Sequence, residues 1–184
     1  MTLDQITAAA LEQLGRGNDA LTRHAWQDKC TQLANEGLMD LGAYLDLVTT
    51  ETVTAESGGL IRLSALSRPA RRVLYARRNG RILPVGPGPE SGTVRTLGGG
   101  ETEITYLYLP RLLSNGTDEP DLPEQAQMLL PLFICMRECS TGDEKTQTRA
   151  DRLLQLYREG RAAARKACPR PEEPKIRIDW RSLC

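Results

Sequence analysis

The spacing of the apolar residues changes twice along this chain, and that change limits the folds open to it. Up to Val48 apolar residues recur every three to four positions. From Thr49 to Leu109 they alternate, and from about Leu122 the helical spacing returns. The expected class is therefore α+β. It is an antiparallel bundle of about four helices, over residues 2–15, 22–48, 122–139 and 143–167. A small antiparallel β-sheet, residues 49–109, is inserted between the second and third long helical regions. One domain is expected over residues 1–168, long enough to bury roughly 70% of its unfolded surface. Residues 169–184 read as an extended C-terminal tail.

The helix ends are marked by specific residues. Thr2 and Gln5 have capping-box spacing, and Leu3, Ile6, Ala10, Leu11 and Leu14 then share one face. "GRGND", Gly15 to Asp19, closes that helix, because Gly and Asn tolerate the left-handed backbone. From Thr22 a long stripe runs through Trp26, Cys30, Leu33, Gly37, Leu41, Tyr44 and Val48, widened by Ala34, Leu38 and Leu45. It predicts the central helix of the bundle. Gly37 and Gly42 each weaken it by about 1 kcal/mol and permit a close helix approach.

Between the helices, "TTETVTAE" alternates and Gly58-Gly59 turns the chain. "RRVLYARRNGRILPV" predicts a hairpin with a type I′ turn at Asn79-Gly80. "TVRTL" and "ETEITYLYL", joined by three glycines, predict a second hairpin, for about five or six strands in all. The exit from the sheet is acidic. Asp118, Glu119 and Asp121 precede a helix start where Asp121 and Glu124 have capping-box spacing and Pro123 fits the first turn. Leu129, Leu130, Phe133, Ile134 and Met136 predict the most buried helix, and Pro131 a kink within it. Asp143 or Thr141 caps the last helix, whose inner stripe is Ala150, Leu153, Leu154, Tyr157 and Ala164.

Charge is balanced overall but blocked along the chain. Residues 1–56 hold three basic and nine acidic groups, and residues 57–97 hold eight arginines and Glu90. Residues 98–144 hold two basic and nine acidic groups, and residues 145–184 hold eleven basic and five acidic. Such blocks either meet complementary patches on a neighbour or cancel within one subunit. No apolar run approaches the roughly 20 residues of a membrane span. The N-terminus, with Asp4 and Glu12 and no basic leader, reads as a folded helix of a cytoplasmically made protein.

Catalytic, cofactor and metal sites are not expected. The single histidine, His24, reads as a surface residue, and no Ser–His–Asp or Cys–His arrangement can be assembled from one histidine. "LGGGE" lacks the lysine of a phosphate loop and reads as a turn. Cys30, Cys135, Cys139, Cys168 and Cys184 read as free thiols. Cys135 and Cys139 share a helical face that would supply half a zinc site, but we read them as small buried hydrophobes.

The order of elements resembles the head-to-tail adaptors (connectors) of tailed bacteriophages. The features that carry the resemblance are Trp26 and Asn35 on "WQDKCTQLANEGLMDLGAYL", Tyr106-Leu107-Tyr108 closing the sheet, and "DEPDLPEQ" opening the buried helix. Gly142-Asp143 precedes the final helix, and Tyr157 lies within it. An inserted sheet of this size departs from the smaller, nearly all-helical adaptors. The resemblance implies a structural virion protein of the neck: a ring of about twelve copies of itself beneath the portal protein, extending the DNA channel toward a downstream neck or tail protein. DNA would pass without sequence specificity, and no membrane is involved.

Two sets of residues are then expected at interfaces. Arg68, Arg71, Arg72, Arg77, Arg78 and Arg81 lie in or beside the basic hairpin and suit a negative partner: a neighbour's acidic block, the portal, or DNA in transit. The plain alternative is a solvated positive face. In the tail, "PRPEEP" favours an extended spacer. Lys175, Ile176, Arg177, Ile178 and Trp180 form an alternating segment suited to strand addition on a partner's edge, for which the resemblance favours the portal. A competing function class is a soluble nucleic-acid-binding regulator using the arginine-rich sheet, and a further one is another neck or tail-completion protein. Against the regulator, Tyr75 is the one aromatic in the basic part of the sheet, where single-strand binders interleave several.

Overall fold

The structure, a computed structural model, describes residues 1–168. These fold into two compact units, one built from Met1–Asp46 with residues 110–168, the other from Leu47–Leu109. The class is α+β, with long helices and a small antiparallel sheet system inserted between them.

The helical unit contains α1 (Leu3–Gln13), α2 (Ala20–Leu45), the short α3 (Glu124–Gln127), α4 (Leu129–Cys139) and α5 (Glu144–Ala167). The capping box of α1 forms as expected: Gln5 N–H donates to Thr2 Oγ1 at 3.3 Å, and Thr2 N–H donates to Gln5 Oε1 at 2.9 Å. Gly15, at φ 70°, ends the helix. Its N–H reaches the Glu12 carbonyl, and the Arg16 N–H reaches that of Leu11, the two bonds of a Schellman close. Asp19 accepts from the Leu21 and Thr22 N–H groups and so starts α2 two residues earlier than the apolar stripe indicated. Asp46, in the left-handed region at φ 52°, ends it, and Val48 already belongs to the first strand.

The middle of this unit is α4, with seven of its eleven residues buried and with α1, α2 and α5 packed against it. The expectation that α2 is the central helix holds only from Cys30 onward, where Cys30, Ala34, Gly37, Leu38, Leu41, Gly42 and Leu45 are buried. Its first ten residues include Arg23, His24, Gln27, Asp28 and Lys29, and there Leu21 is 82% exposed. Gly37 allows the close approach: a Cβ there would sit 2.9 Å from the Phe133 ring. Pro131 occupies the third position of α4, and the predicted kink is a break at Met128. The proline ring excludes the Gln127 carbonyl from the ladder, so the helix restarts at Leu129 and holds Pro131 in its first turn, where the missing N–H of the proline leaves no helical bond unmade.

The acidic joint works differently from the expectation. No Asp121–Glu124 capping box forms, and Pro123 is an N-cap without a side-chain bond. Asp118 instead ties the preceding loop. Its carboxylate accepts from the Ser114 and Asn115 N–H groups at 2.8 Å each, and its carbonyl accepts from Leu3 N–H. Those amides hold the Asp118 carboxyl below its ordinary range. Asn35 clamps the same loop from α2, donating to the Leu113 carbonyl at 2.9 Å and accepting from the Leu113 N–H at 2.8 Å. Asp143, not Thr141, caps α5 by accepting from Thr146 N–H.

The second unit has seven strands in two antiparallel sheets: β1 (Val48–Ala55), β2 (Leu60–Arg62), β3 (Ala70–Arg78), β4 (Arg81–Leu83), β5 (Gly86–Pro87), β6 (Thr93–Arg95) and β7 (Gly100–Tyr108). One sheet runs β1-β7-β3-β4 and the other β2-β6-β5. The Asn79-Gly80 turn forms as expected, with φ of 49° and 75° between the paired Arg78 and Arg81. The second expected hairpin does not form, because β6 and β7 lie in different sheets. Gly98 and Gly100, at φ 72° and 113°, carry the chain from one sheet to the other. Thr96 is held back by its N–H bond to the Gly59 carbonyl, and a Cβ on Gly59 would fall 2.0 Å from the Thr96 carbonyl oxygen. The short strand Gly86–Pro87 brings the described strands to seven, against the five or six expected. Alternate residues of β7, Thr102, Ile104, Tyr106 and Tyr108, are buried on the inner face with Ala76 of β3.

Candidate interaction surface

The strand register separates the six hairpin arginines. Arg72 and Arg77 lie opposite Leu107 and Glu103, alternate positions of β7, and so share the outer sheet face. Arg77 is exposed, with its guanidinium 5.9 Å from the Tyr75 ring. Arg71 and Arg81 are also exposed, Arg81 opposite Arg78 at the turn.

Arg78 and Arg68 are built into the fold. Arg78 donates twice to Thr102 Oγ1, at 3.1 and 2.7 Å, and to the Leu97 and Gly98 carbonyls at 3.0 Å each. Its fork therefore fixes the glycine crossing between the two sheets. Arg68 stacks 4.6 Å over the Tyr108 ring and reaches Thr49 Oγ1 at 3.3 Å. The exposed basic group is thus Arg71, Arg72, Arg77 and Arg81.

A second cluster escaped the sequence reading. Glu51, on β1, receives hydrogen bonds from Ser67 N–H at 2.8 Å, from Ser67 Oγ and from the Tyr106 hydroxyl. Burial pushes its carboxyl up, but these donors and the nearby Arg68 outweigh it, and the carboxyl titrates below its ordinary value. Burial, then the bond to Glu51 and its charge, push Tyr106 up to about 12. In "ETVTAE" the only signal was a carboxylate at an inward position of an alternating strand; the Tyr106 partner lies 55 residues away.

In the helical unit the charge blocks partly cancel inside the chain. Arg161 pairs with Asp40 at 3.0 Å and Arg165 with Asp46 at 2.8 Å, joining the basic C-terminal block to the acidic N-terminal one. Tyr157 donates to Asp40 at 2.7 Å; burial first, then that bond and charge, raise its hydroxyl pKa. Glu138 takes Lys29 at 2.6 Å, and Trp26 lies under Arg16 and Lys29 at 4.1 and 5.0 Å. Trp26 therefore serves a surface cation–π group instead of the core stripe.

Cys30, Cys135 and Cys139 are buried free thiols, as expected, and burial raises the Cys135 pKa to about 11. Among the described residues no group of three or more His, Cys, Asp or Glu is arranged to hold a metal ion. His24 is exposed and lines a shallow cavity of about 250 Å³ with Leu3, Asp4, Thr7, Ala20, Arg23 and Gln27. No helix among the described residues is long and apolar enough to cross a membrane. The expected tail contacts, Lys175, Ile176, Arg177, Ile178 and Trp180, lie outside the described residues. No protein-family model matches the chain, and no curated protein matches it in sequence.

Proposed function

We propose that this chain is a structural component of a tailed-phage neck: an adaptor that forms a ring beneath the portal and extends the DNA channel toward the tail. The observation that carries the reading is the order of elements. A capped short helix leads to a long helix, then an inserted sheet, then a buried helix entered through "DEPDLPEQ", and a final helix capped at Gly142-Asp143. Two residues singled out by the resemblance have architectural roles in the helical unit. Asn35 clamps the loop at Leu113, and Tyr157 binds Asp40 while its ring packs 5.4 Å from Phe133.

The adaptor reading assigns no catalysis to the chain. Its partners are copies of itself, the portal and a downstream neck protein, with DNA in transit touched through phosphates alone. The exposed Arg77 and Arg81 are the pair suited to such a negative partner. The test is mass by light scattering, with the chain alone and mixed with the portal ring of its virus. Co-elution in a fixed ratio to the portal is expected. A chain that ignores the portal and binds oligonucleotide tightly as a monomer would overturn the reading in favour of a regulator.

A further inference from the structure

The strand β1 is a long sheet edge with one protective device, the inward carboxylate of Glu51. It pairs with β7 over all eight residues, from Val48↔Leu107 to Ala55↔Gly100, with no register shift. Its other side pairs with no strand among the described residues. Sheet edges are ordinarily blunted by lysine, proline, a bulge, an inward charge or shortness. The other edges use such devices: β4 has three residues, with Arg81 at its start and Pro84 just after it; β2 has three; and β5 is Gly86–Pro87. β1 has neither lysine nor proline, and its one charge, Glu51, is taken up by Ser67 and Tyr106.

The two faces flanking this edge differ. On one, Thr50, Thr52 and Thr54 are exposed and lie opposite Thr105, Glu103 and Glu101, of which the two glutamates are exposed. On the other, Val53 is half-buried and Ala55 buried. A strand added here would meet acidic groups on one side and apolar ones on the other. The sequence beyond the described residues has a segment of matching pattern: Lys175 and Arg177 alternate with Ile176, Ile178 and Trp180. Lysine and arginine side chains are long enough to approach the glutamates across two strand spacings of about 4.8 Å each.

We infer that β1 is a docking edge for residues 175–180 of a second copy of this chain, with Lys175 and Arg177 toward Glu101 and Glu103 and the isoleucines toward Val53. The backbone ladder supplies affinity and the two unlike faces fix the register. Because each copy carries both an edge and a strand, the contact is head-to-tail and propagates around a ring. The three prolines at 169, 171 and 174 suit a spacer that reaches a neighbour. The inference does not depend on the portal, and it assigns the tail a different acceptor from the one the resemblance favours.

The test uses the full-length chain. Its mass is measured by analytical ultracentrifugation against concentration, with amide exchange followed along Val48–Ala55. Mass is expected to rise with concentration while β1 amides that face the open edge become protected. Thr52→Lys with Thr54→Lys, both at exposed positions, should return the chain to a monomer with unchanged circular dichroism. Adding Lys175→Glu and Arg177→Glu to that variant should restore association. A synthetic peptide of residues 170–184 should compete with self-association of the parent chain. A chain that stays monomeric up to millimolar concentration overturns the inference, as does association indifferent to the lysine pair or to the peptide. Loss of association in the tail variant alone, Lys175→Glu/Arg177→Glu, supports it even if the lysine pair misfolds, and retained association overturns it. Portal binding measured on the same variants reports on the adaptor reading separately.

Discussion

Glu51 and Tyr106 give this protein a pH signature at the scale of two residues. Glu51 titrates below its ordinary 4.5 in the fold, so its contribution is complete above 4.5 and is lost as pH falls through the lower folded value. Tyr106 is raised from 10 to about 12, so its contribution is complete below 10 and is lost as pH rises toward 12. Glu51→Gln should therefore cost about 1–2 kcal/mol at neutral pH, with the gap to the parent closing in acid below 4.5. Chemical denaturation across a pH series reads this directly. A gap that persists unchanged into acid would mean that the carboxylate charge contributes nothing. Gly37 offers a second residue-scale test. Gly37→Ala gains helix propensity but drives a methyl to 2.9 Å from the Phe133 ring, so overpacking should win by about 1–3 kcal/mol in a melt. A stabilised variant would show that α2 and α4 can part cheaply.

At the scale of elements, α4 carries the helical unit. Leu130 is fully buried, and Phe133 packs between Gly37 and Tyr157. Phe133→Ala should cost about 3–5 kcal/mol in denaturant unfolding, and a change below 1 kcal/mol would remove α4 from the core. This helix was legible in the sequence because its apolar residues cover most of its circumference, and so were the caps at Thr2 and Asp143 and the Asn79-Gly80 turn. Each of these is a local signal, complete within a few residues. Pairings across the chain were less so. Three glycines after "TVRTL" have the pattern of a hairpin turn, whereas Thr96 bonding to Gly59 keeps that strand in the other sheet. The acidic joint is a second such case. Capping-box spacing was present at Asp121 and Glu124, but Asp118 is the residue whose carboxylate organises the loop. The arginine group was legible as a block of charge, while the removal of Arg78 to a structural role depends on Thr102, 24 residues away.

For the whole molecule, that division between exposed and built-in arginines decides how charge reversal will act. Arg77 and Arg81 are exposed on the basic hairpin, while Arg78, between them in sequence, spends its guanidinium on Thr102, Leu97 and Gly98. The double variant Arg77→Glu/Arg81→Glu should keep the parent melting temperature. It should weaken binding to mixed-sequence DNA and lower the dependence of log K on log salt by about 2, one for each phosphate contact removed. Arg78→Glu should do the reverse in the first respect. It breaks charge-assisted bonds to the glycine crossing and places a carboxylate beside the Leu97 and Gly98 carbonyls, so the melt should drop by several degrees. Melting curves and a salt titration of binding on the two variants separate the roles. If the double variant binds DNA as the parent does, at every salt concentration, the hairpin makes no phosphate contacts and nucleic acid is not its partner. If Arg78→Glu melts with the parent, the sheet crossing is held by the glycine backbone and the Thr96–Gly59 bond without the guanidinium.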